Sequence, residues 1–528
     1  MRKKGKKRFS SFSGIEINPE FKKALNLMEN TSSHVFITGK AGTGKSTLLE
    51  YFRHHTLKKV VVLAPTGVAA LNIRGQTIHS FFRFRPDITL DKVKKIVDQD
   101  QDNLYQEVEC VIIDEISMVR ADLLDCVDQF LRLNCHLKQI PFGGKQMIFI
   151  GDLYQLPPVI KGKEKEIFQH YYRTGYFFSA HVFHDFPMKF IELIKIYRQK
   201  DERFIHILNA IRNKTITEDH LEELNERCDP SFSPARNEFY IYLTPYNKQA
   251  HEINEQRLRK LKGKTFSYEG KIRGNFGERE LPTQLNLSLK INAQVMLLNN
   301  DPDGRWINGS VGQIVEIYNE DESHDVITVE LTDGMMVEVE PFTWEIFEYR
   351  YNQNKETLET NVVGSFTQYP LRLAWAITIH KSQGKTYEKV IIDIGKGTFS
   401  PGQMYVALSR CSSLEGIVLK KEIQKKHVFM DWRIIDFLTK YQYQLSEKKM
   451  PLAHKVDFIK NTISKNGKLE IVYLKSKDEK SKRVIKPQFV GELLYKDKNF
   501  LGVEAYCYLR NEVRNFRVDR ILEMKKAE

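Results

Sequence analysis

The chain has 528 residues, which suggests about three to four domains, and 41% of them are hydrophobic, ample for packed cores. No run of about eighteen apolar residues marks a membrane span, and the first residues are not expected to be a secretory signal. The net charge of +13 is concentrated at the ends: residues 1–14 carry +6, residues 447–528 carry +8, and the stretch between them −1. Basic ends suggest a polyanionic partner, most simply nucleic acid, although for the N-terminal run a solubilising tail fits equally well. The six cysteines (Cys110, Cys126, Cys135, Cys228, Cys411 and Cys507) include no C-x-x-C pair. They fit free thiols in a reducing compartment, with no disulfide, zinc or iron–sulfur site expected.

Residues 1–14 are rich in Lys, Arg and Ser and are expected to be disordered. Within residues 18–29, Phe21, Ala24, Leu25 and Met28 keep a helical period. Residues 35–37 read as a buried strand that breaks at Gly39, and a helix is expected from Thr47. Between them stands G-x-x-x-x-G-K-S, in the strand-then-helix context of a phosphate-binding loop. Its glycines let backbone N–H groups turn inward onto phosphate oxygens, and the helix N-terminus adds partial positive charge. A nucleoside triphosphate is expected on Gly39, Gly42, Thr43, Gly44, Lys45, Ser46 and Thr47. Lys45 would reach the β- and γ-phosphates, and the Ser46 hydroxyl would complete a Mg²⁺ shell.

Residues 60–64 (V-V-V-L-A) read as a second buried strand, ending at Pro65-Thr66-Gly67. Phe81, Phe82 and Phe84 allow base stacking, with a hydrophobic core role as the default. Residues 85–107 look like a small surface insertion with little core character. Residues 111–113 form a third strand capped by Asp114 and Glu115. Downstream of a phosphate loop, Asp114 suits a Mg²⁺ ligand through water and Glu115 a general base for the attacking water. A fourth strand, 146–150, leads into G-D-L-Y-Q, where Gln155 suits a γ-phosphate sensor or a turn-stabilising amide.

Further blocks follow: I-Y-R-Q at 196–199, A-I-T-I-H-K-S-Q-G at 376–384 and Q-M-Y-V-A-L-S-R at 403–410. With D-E-I-S-M-V at 114–119 and G-D-L-Y-Q-L-P-P at 151–158, this ordered set resembles superfamily 1 DNA helicases of the B branch. The nearest look is to the petite-integration-frequency (PIF) helicases and their RecD relatives, over about residues 20–440. The resemblance implies two RecA-like α/β cores with ATP and Mg²⁺ in the cleft between them. The first core would supply Lys45, Ser46, Asp114, Glu115 and Gln155; the second would supply Arg410, joined by Arg198 near the junction. Thr66, Thr77, His79, Thr378, His380 and Lys381 match positions that face the single strand in this family. One departure stands out: members carry a Gln near the start that reads adenine, and none occurs around residues 18–22. The source of adenine specificity is therefore open.

Between about 270 and 370 the pattern changes to period-two alternation, at 314–318, 326–331 and 335–340, with Asp333-Gly334 as a tight turn. A small inserted β-barrel is expected, Src-homology-3-like by the resemblance. A helix around 434–438 is expected to close the second core, followed by a polar linker at 446–451. The tail resembles the WYL domain, a small β-barrel, through R-x-F-R-x-D-R-I at 514–521, although L-G-V at 501–503 replaces the naming triplet. Arg510, Arg514 and Arg517 are the expected basic face for nucleic acid or a nucleotide ligand, unless they bond only the barrel's own loops.

The expected fold is α/β: a basic tail (1–14), a first RecA-like P-loop core (15–200), a second (201–445) carrying the β-barrel near 270–370, and a linker with the WYL-like barrel (446–528). The expected function is an ATP-dependent DNA helicase moving 5′ to 3′ on single-stranded DNA. It would act on forked or structured DNA in repair, replication or recombination, as a monomer in the bacterial cytoplasm at the nucleoid. Two rivals remain: a translocase that removes proteins or RNA–DNA hybrids, and a nucleotide-switch scaffold with a ligand-sensing tail.

Overall fold

The computed structural model describes residues 16–96, 104–160, 168, 170–235, 238–277, 280–319, 324–352, 354–395, 397–398, 400–475, 480–495 and 498–527. The basic tail at 1–14 and part of the 85–107 insertion lie outside these residues. The chain divides into two compact units, one comprising the residues up to Leu208 with Glu218–Phe429, the other Asn209–Thr217 with Met430–Glu528.

The first unit opens with a six-stranded sheet built from β1 (His34–Gly39), β2 (Val60–Ala64), β3 (Gln76–Thr77), β4 (Cys110–Ile113), β5 (Gln146–Ile150) and β6 (Met188–Leu193). Its order is β3-β2-β4-β5-β1-β6, and every pairing is parallel. Parallel strands are covered on both faces, which is why β1, β2, β4 and β5 read as continuous apolar runs rather than alternating ones. Helix α1 (Pro19–Asn30) starts where the Asn18 side chain accepts from the Phe21 N–H and Pro19 fixes the first turn. Its Phe21, Ala24 and Met28 pack with Leu48, Leu49 and Phe52 of α2 (Lys45–His55) around Val35, Ile37, Ile148 and Ile191. Phe81, Phe82 and Phe84 are buried with Tyr105 and Phe130 in edge-to-face and stacked contacts, with ring centroids 4.8–6.4 Å apart where they touch Phe82 or Phe130, so their role is core.

A second parallel sheet, of order β18-β7-β19-β20, contains β7 (Ile241–Thr244), β18 (Ala376–Thr378), β19 (Val390–Ile392) and β20 (Ile417–Leu419). Between β7 and β18 the chain runs through antiparallel strands: β8 (Phe266–Glu269), β9 (Lys271–Gly274), β10 (Asn286–Leu289), β11 (Gln294–Leu297), β12 (Val311–Asn319), β13 (Asp325–Leu331), β14 (Met336–Val339), β15 (Phe342–Asn352), β16 (Thr357–Gln368) and β17 (Leu371–Leu373). The expected closed barrel is not formed: among the described residues no sheet closes. The β14-β13-β12-β11-β17 sheet ends at β14 and β17, while β15 leaves to pair with β16 as a long hairpin flanked by β9. The open sheet instead buries one face, with Leu287, Val295, Ile314, Ile327 and Val337 in a shared core. The hairpin reaches back to the first sheet, where Tyr349 Oη accepts from the Val62 N–H at 3.2 Å.

The second unit packs the helices Trp432–Lys449 and Leu452–Ser464 with an antiparallel sheet of order β24-β23-β22-β21-β25: β21 (Leu469–Leu474), β22 (Lys480–Tyr495), β23 (Lys498–Cys507), β24 (Glu512–Arg517) and β25 (Ile521–Lys526). This sheet too is open, with β24 and β25 as unjoined edges, rather than the expected barrel. The helix expected to close the second core belongs to this unit, and the stretch expected as a linker is mostly helical. Lys455 is buried, its Nζ donating to Ser446 Oγ at 2.7 Å and to the Ile521 carbonyl at 2.8 Å, and burial lowers its pKa.

Because Ile148 lies fully buried on a central strand of the first sheet, Ile148→Ala is expected to destabilise that core by about 2–5 kcal/mol, read as a lowered thermal unfolding midpoint.

Candidate functional site

The carboxyl ends of β1, β2, β4 and β5 carry the glycine loop, Thr66, the Asp114-Glu115 pair and the turn with Gln155. Parallel sheets place their ligand sites at this end. The loop from Gly39 to Lys45 turns through Gly42 at φ 79° and Gly44 at φ 84°, left-handed conformations that glycine adopts without strain. Gly42 also meets the following segment closely: a Cβ there would stand 2.5 Å from Arg198 Cβ, and the Tyr197 N–H donates to the Gly42 carbonyl at 2.8 Å. Helix α2 has no side-chain cap at its start, so its first N–H groups face the loop as anion donors. Lys45 Nζ lies across the loop, donating to the Gly39 and Lys40 carbonyls at 2.8 and 3.0 Å. Thr43 is buried and donates to the Lys40 carbonyl at 2.9 Å, while Ser46 and Thr47 are exposed in the first helical turn.

The two acids sit beside the lysine. Burial and the Glu115 charge push Asp114 up to about 7, opposed by Lys45. Burial also raises Glu115, while Lys45 and Arg410 favour its charged form. Glu115 has φ 50°, which turns its side chain toward the second core, where Gln383 Nε2 donates to Glu115 Oε2 at 2.9 Å. Gln155 is buried and folds back within its own turn, its backbone N–H on the Asp152 carbonyl at 3.0 Å and its amide 3.4 Å from Asp152 Oδ2.

The arginines face the same cleft from the other side. Arg198 donates to the carbonyls of Ser409 and Gly384, both at 3.2 Å. Arg410 is 1% exposed and donates to the carbonyls of Val406, Ser382 and Lys385 and to Ser409 Oγ. Burial and the neighbouring Arg198 lower Arg410 to about 9. Among the described residues, neither guanidinium forms an ion pair within 4 Å. The Ala41 N–H of the loop donates to Tyr405 Oη at 2.9 Å. Lys45 thus bears on both acids, Arg410 on Glu115 and Arg198 on Arg410, whereas Gln155 keeps to its own turn.

A family model for PIF1-like helicases matches residues 16–222, and one for the WYL domain matches residues 455–526. The ATP-dependent DNA helicase Pif1 of Bdellovibrio bacteriovorus is 32% identical over 447 residues, covering 81% of this chain and 93% of the relative. The chain belongs to the PIF1-like helicase family. A crystal structure of Bacteroides sp Pif1 with ADP-AlF4 is 39% identical, covers 81% of this chain and 98% of its own, and has a TM-score of 0.74. The same relative bound to ssDNA gives a TM-score of 0.59 at the same coverage.

The residues matched to strand-facing positions in this PIF1-like helicase also have local roles. Thr66 and Thr77 cap short helices, accepting from the N–H groups of Ala69 and Ser80. Thr378 is buried at the end of β18 and accepts from the Lys381 N–H at 3.3 Å. Lys381 is exposed, and burial lowers the pKa of both His79 and His380, favouring their neutral forms. In the second unit, Arg514 and Arg517 lie three residues apart on β24, so the pleat sends them to opposite faces rather than to one basic face. Arg514 pairs with Glu512 and Arg517 with Asp519, while Arg510, in the β23–β24 turn, forms no ion pair among the described residues.

Sequence reasoning assigned no role to Gln383, Gln199, Tyr405 or Gly402, although the first three stand inside quoted motifs. Gln199 Nε2 donates to the Ser409 and Cys411 carbonyls at 3.2 and 3.0 Å, tying the 196–199 segment to the second core. Gly402 has φ 76°, and a Cβ on it would stand 2.5 Å from the carbonyl oxygens of Tyr154 and Gln155. Gly402→Ala is expected to cost about 1–3 kcal/mol of backbone strain alone and to lift the helix Gln403–Leu408 off the Gln155 turn. Thermal unfolding and ATP turnover should both fall.

Proposed function

We propose that this helicase hydrolyses ATP between its two parallel sheets and uses the cycle to move 5′ to 3′ along single-stranded DNA and open duplexes. The observation that carries the reading is the contact across the cleft: phosphate loop and acids on one side, Tyr405, Gln383 and Arg410 on the other, with direct bonds from the Ala41 N–H to Tyr405 Oη and from the Gln383 amide to Glu115. Lys45 would bind the β- and γ-phosphates, Glu115 would orient and deprotonate the attacking water, and Gln155 would sense the γ-phosphate. Arg198 and Arg410 would neutralise charge developing on the transferred phosphoryl group. Ser46 and Asp114 offer the hydroxyl and carboxylate oxygens that suit Mg²⁺, which, when bound with ATP, neutralises phosphate charge. The donor set is all oxygen and leaves positions for phosphate, as Mg²⁺ prefers.

Single-stranded DNA is the proposed track, supported by the solved structures of Bacteroides Pif1 bound to ssDNA and of two coordinating Pif1 helicases at forked dsDNA. Thr66, Thr77, His79, Thr378, His380 and Lys381 are proposed to hold its backbone, with neutral histidines and hydroxyls positioning phosphate and sugar without reading sequence. Roles in DNA repair, replication and telomere maintenance fit the family. Opening DNA opposes about 1.4 kcal/mol of stacking per base-pair step, so turnover must be coupled to movement. Strand displacement on duplexes with 5′ or 3′ single-stranded tails tests the direction: opening of the 3′-tailed substrate alone overturns it.

Three outcomes are expected of variants. Lys45→Ala should lose nucleotide binding and turnover, whereas Glu115→Gln should bind ATP and fail to hydrolyse it, checked by nucleotide titration and phosphate release. Arg198→Ala and Arg410→Ala should each bind nucleotide yet turn over roughly 10³-fold more slowly with DNA present. In the second unit, Arg510→Ala should reduce the log–log salt slope of oligothymidine binding by about 0.7, with Arg514→Ala and Arg517→Ala contributing less because both already hold carboxylates.

A further inference from the structure

A hydroxyl from the second parallel sheet's side is bonded to the phosphate-loop backbone. The bond from the Ala41 N–H to Tyr405 Oη is buried and joins residues 364 apart in sequence. Tyr405 is carried by the helix Gln403–Leu408, five residues before Arg410, and is itself buried. The same stretch of chain runs on through Ser409, whose carbonyl accepts from Arg198, to Arg410. The helix is seated firmly, because Gly402 at its start packs directly on the carbonyls of Tyr154 and Gln155. One loop amide is therefore held by a neutral oxygen carried on the helix that leads into Arg410.

A phosphate oxygen is a better acceptor than a phenol for that amide, since charge-assisted bonds are about twice as strong as neutral ones. A phenol has one O–H to donate and lone pairs to accept, so it can serve either partner. We infer that Tyr405 is a positioning residue that reads the γ-phosphate: its hydroxyl caps the Ala41 amide while the loop is empty and donates to a γ-phosphoryl oxygen once a nucleoside triphosphate is bound. This rests on the reading of the cleft as the ATP site. The β-phosphate is held by the loop and by α2, on the first sheet's side, so a diphosphate leaves Tyr405 with the amide. The hydroxyl thereby distinguishes the two nucleotides and passes that distinction to the helix that leads into Arg410.

The test is Tyr405→Phe in the full chain, which removes one oxygen and keeps the ring. Equilibrium titration with a fluorescent ADP and with a non-hydrolysable ATP analogue should show about 10-fold weaker triphosphate binding and diphosphate binding within about 2-fold, as befits one bond to a charged group. The same variant should raise KM for ATP more than it lowers kcat. Equal loss of both nucleotides, no loss of either, or tighter triphosphate binding overturns the role, the last by making the hydroxyl a competitor for the loop. Lys45→Ala run in parallel separates the two readings: if it retains both nucleotides, the ATP-site assignment fails whatever Tyr405 does. In the unsubstituted chain labelled with 3-fluorotyrosine, the ¹⁹F resonance missing from Tyr405→Phe should move with the triphosphate analogue and stay in place with ADP; movement with both overturns the proposal.

Discussion

Backbone N–H groups that turn inward at the start of a helix have no partners of their own, and the first parallel sheet is arranged to present such a set. β1 ends at Gly39 between two buried neighbours, and α2 begins at Lys45 without a side-chain cap. The intervening loop therefore needs an anion or substitutes for one. One such substitute is visible, the Tyr405 hydroxyl accepting from the Ala41 N–H, whereas the Lys45 ammonium and the Thr43 hydroxyl donate to the loop's own carbonyls. Tight packing of Arg198 on Gly42 and the bond from Tyr197 to the Gly42 carbonyl then fix what lies over the loop. The placement of the second sheet's helices follows from the same contacts, through Gln199 and Gly402.

How much of this was legible in the sequence depends on the range of the interaction. Strands buried on both faces announce themselves as apolar runs, and the loop chemistry lies within eight consecutive residues, so β1, β2, β4, β5 and the phosphate loop could be read directly. Period-two alternation in the insert reported correctly that those strands have one buried face. It did not report whether the outer strands meet, because closure is decided by pairing between β14 and β17 or between β24 and β25, strands that follow different paths through the chain. Parity along β24 did carry the information that Arg514 and Arg517 diverge, yet three arginines in eight residues look like one patch until the pleat is imposed. Tyr405 was hidden for another reason: a tyrosine in an apolar six-residue helix reads as core, and its hydroxyl's partner is 364 residues away.

The electrostatics of the cleft share one cause. Burial raises Asp114 and Glu115 and lowers Arg198 and Arg410, so groups on both sides are held in surroundings that disfavour their charges. The obvious relief, pairing Glu115 with Arg410, is not taken: the carboxylate accepts from the Gln383 amide and the guanidinium donates to carbonyls and a hydroxyl. Acids and arginines that remain unpaired across a few residues of buried space are the arrangement expected where charge is to be supplied by a substrate rather than cancelled internally.

That arrangement also explains why the two sides need each other. A buried guanidinium without a carboxylate costs several kcal/mol, and two of them near one another add repulsion. Part of that cost is offset by the bonds that Arg198 and Arg410 donate to the carbonyls of Ser409, Gly384, Val406, Ser382 and Lys385 and to Ser409 Oγ. In the proposed site, a bound triphosphate relieves the repulsion, and a transition state with more charge on its equatorial oxygens relieves it further, so stabilisation grows along the reaction. On that proposal, loss of the γ-phosphate would return Arg198 and Arg410 to mutual repulsion and Tyr405 to the amide. Hydrolysis would then be felt on the second sheet's side as the withdrawal of the anion that held the cleft together, which is the change a motor must turn into movement along its track.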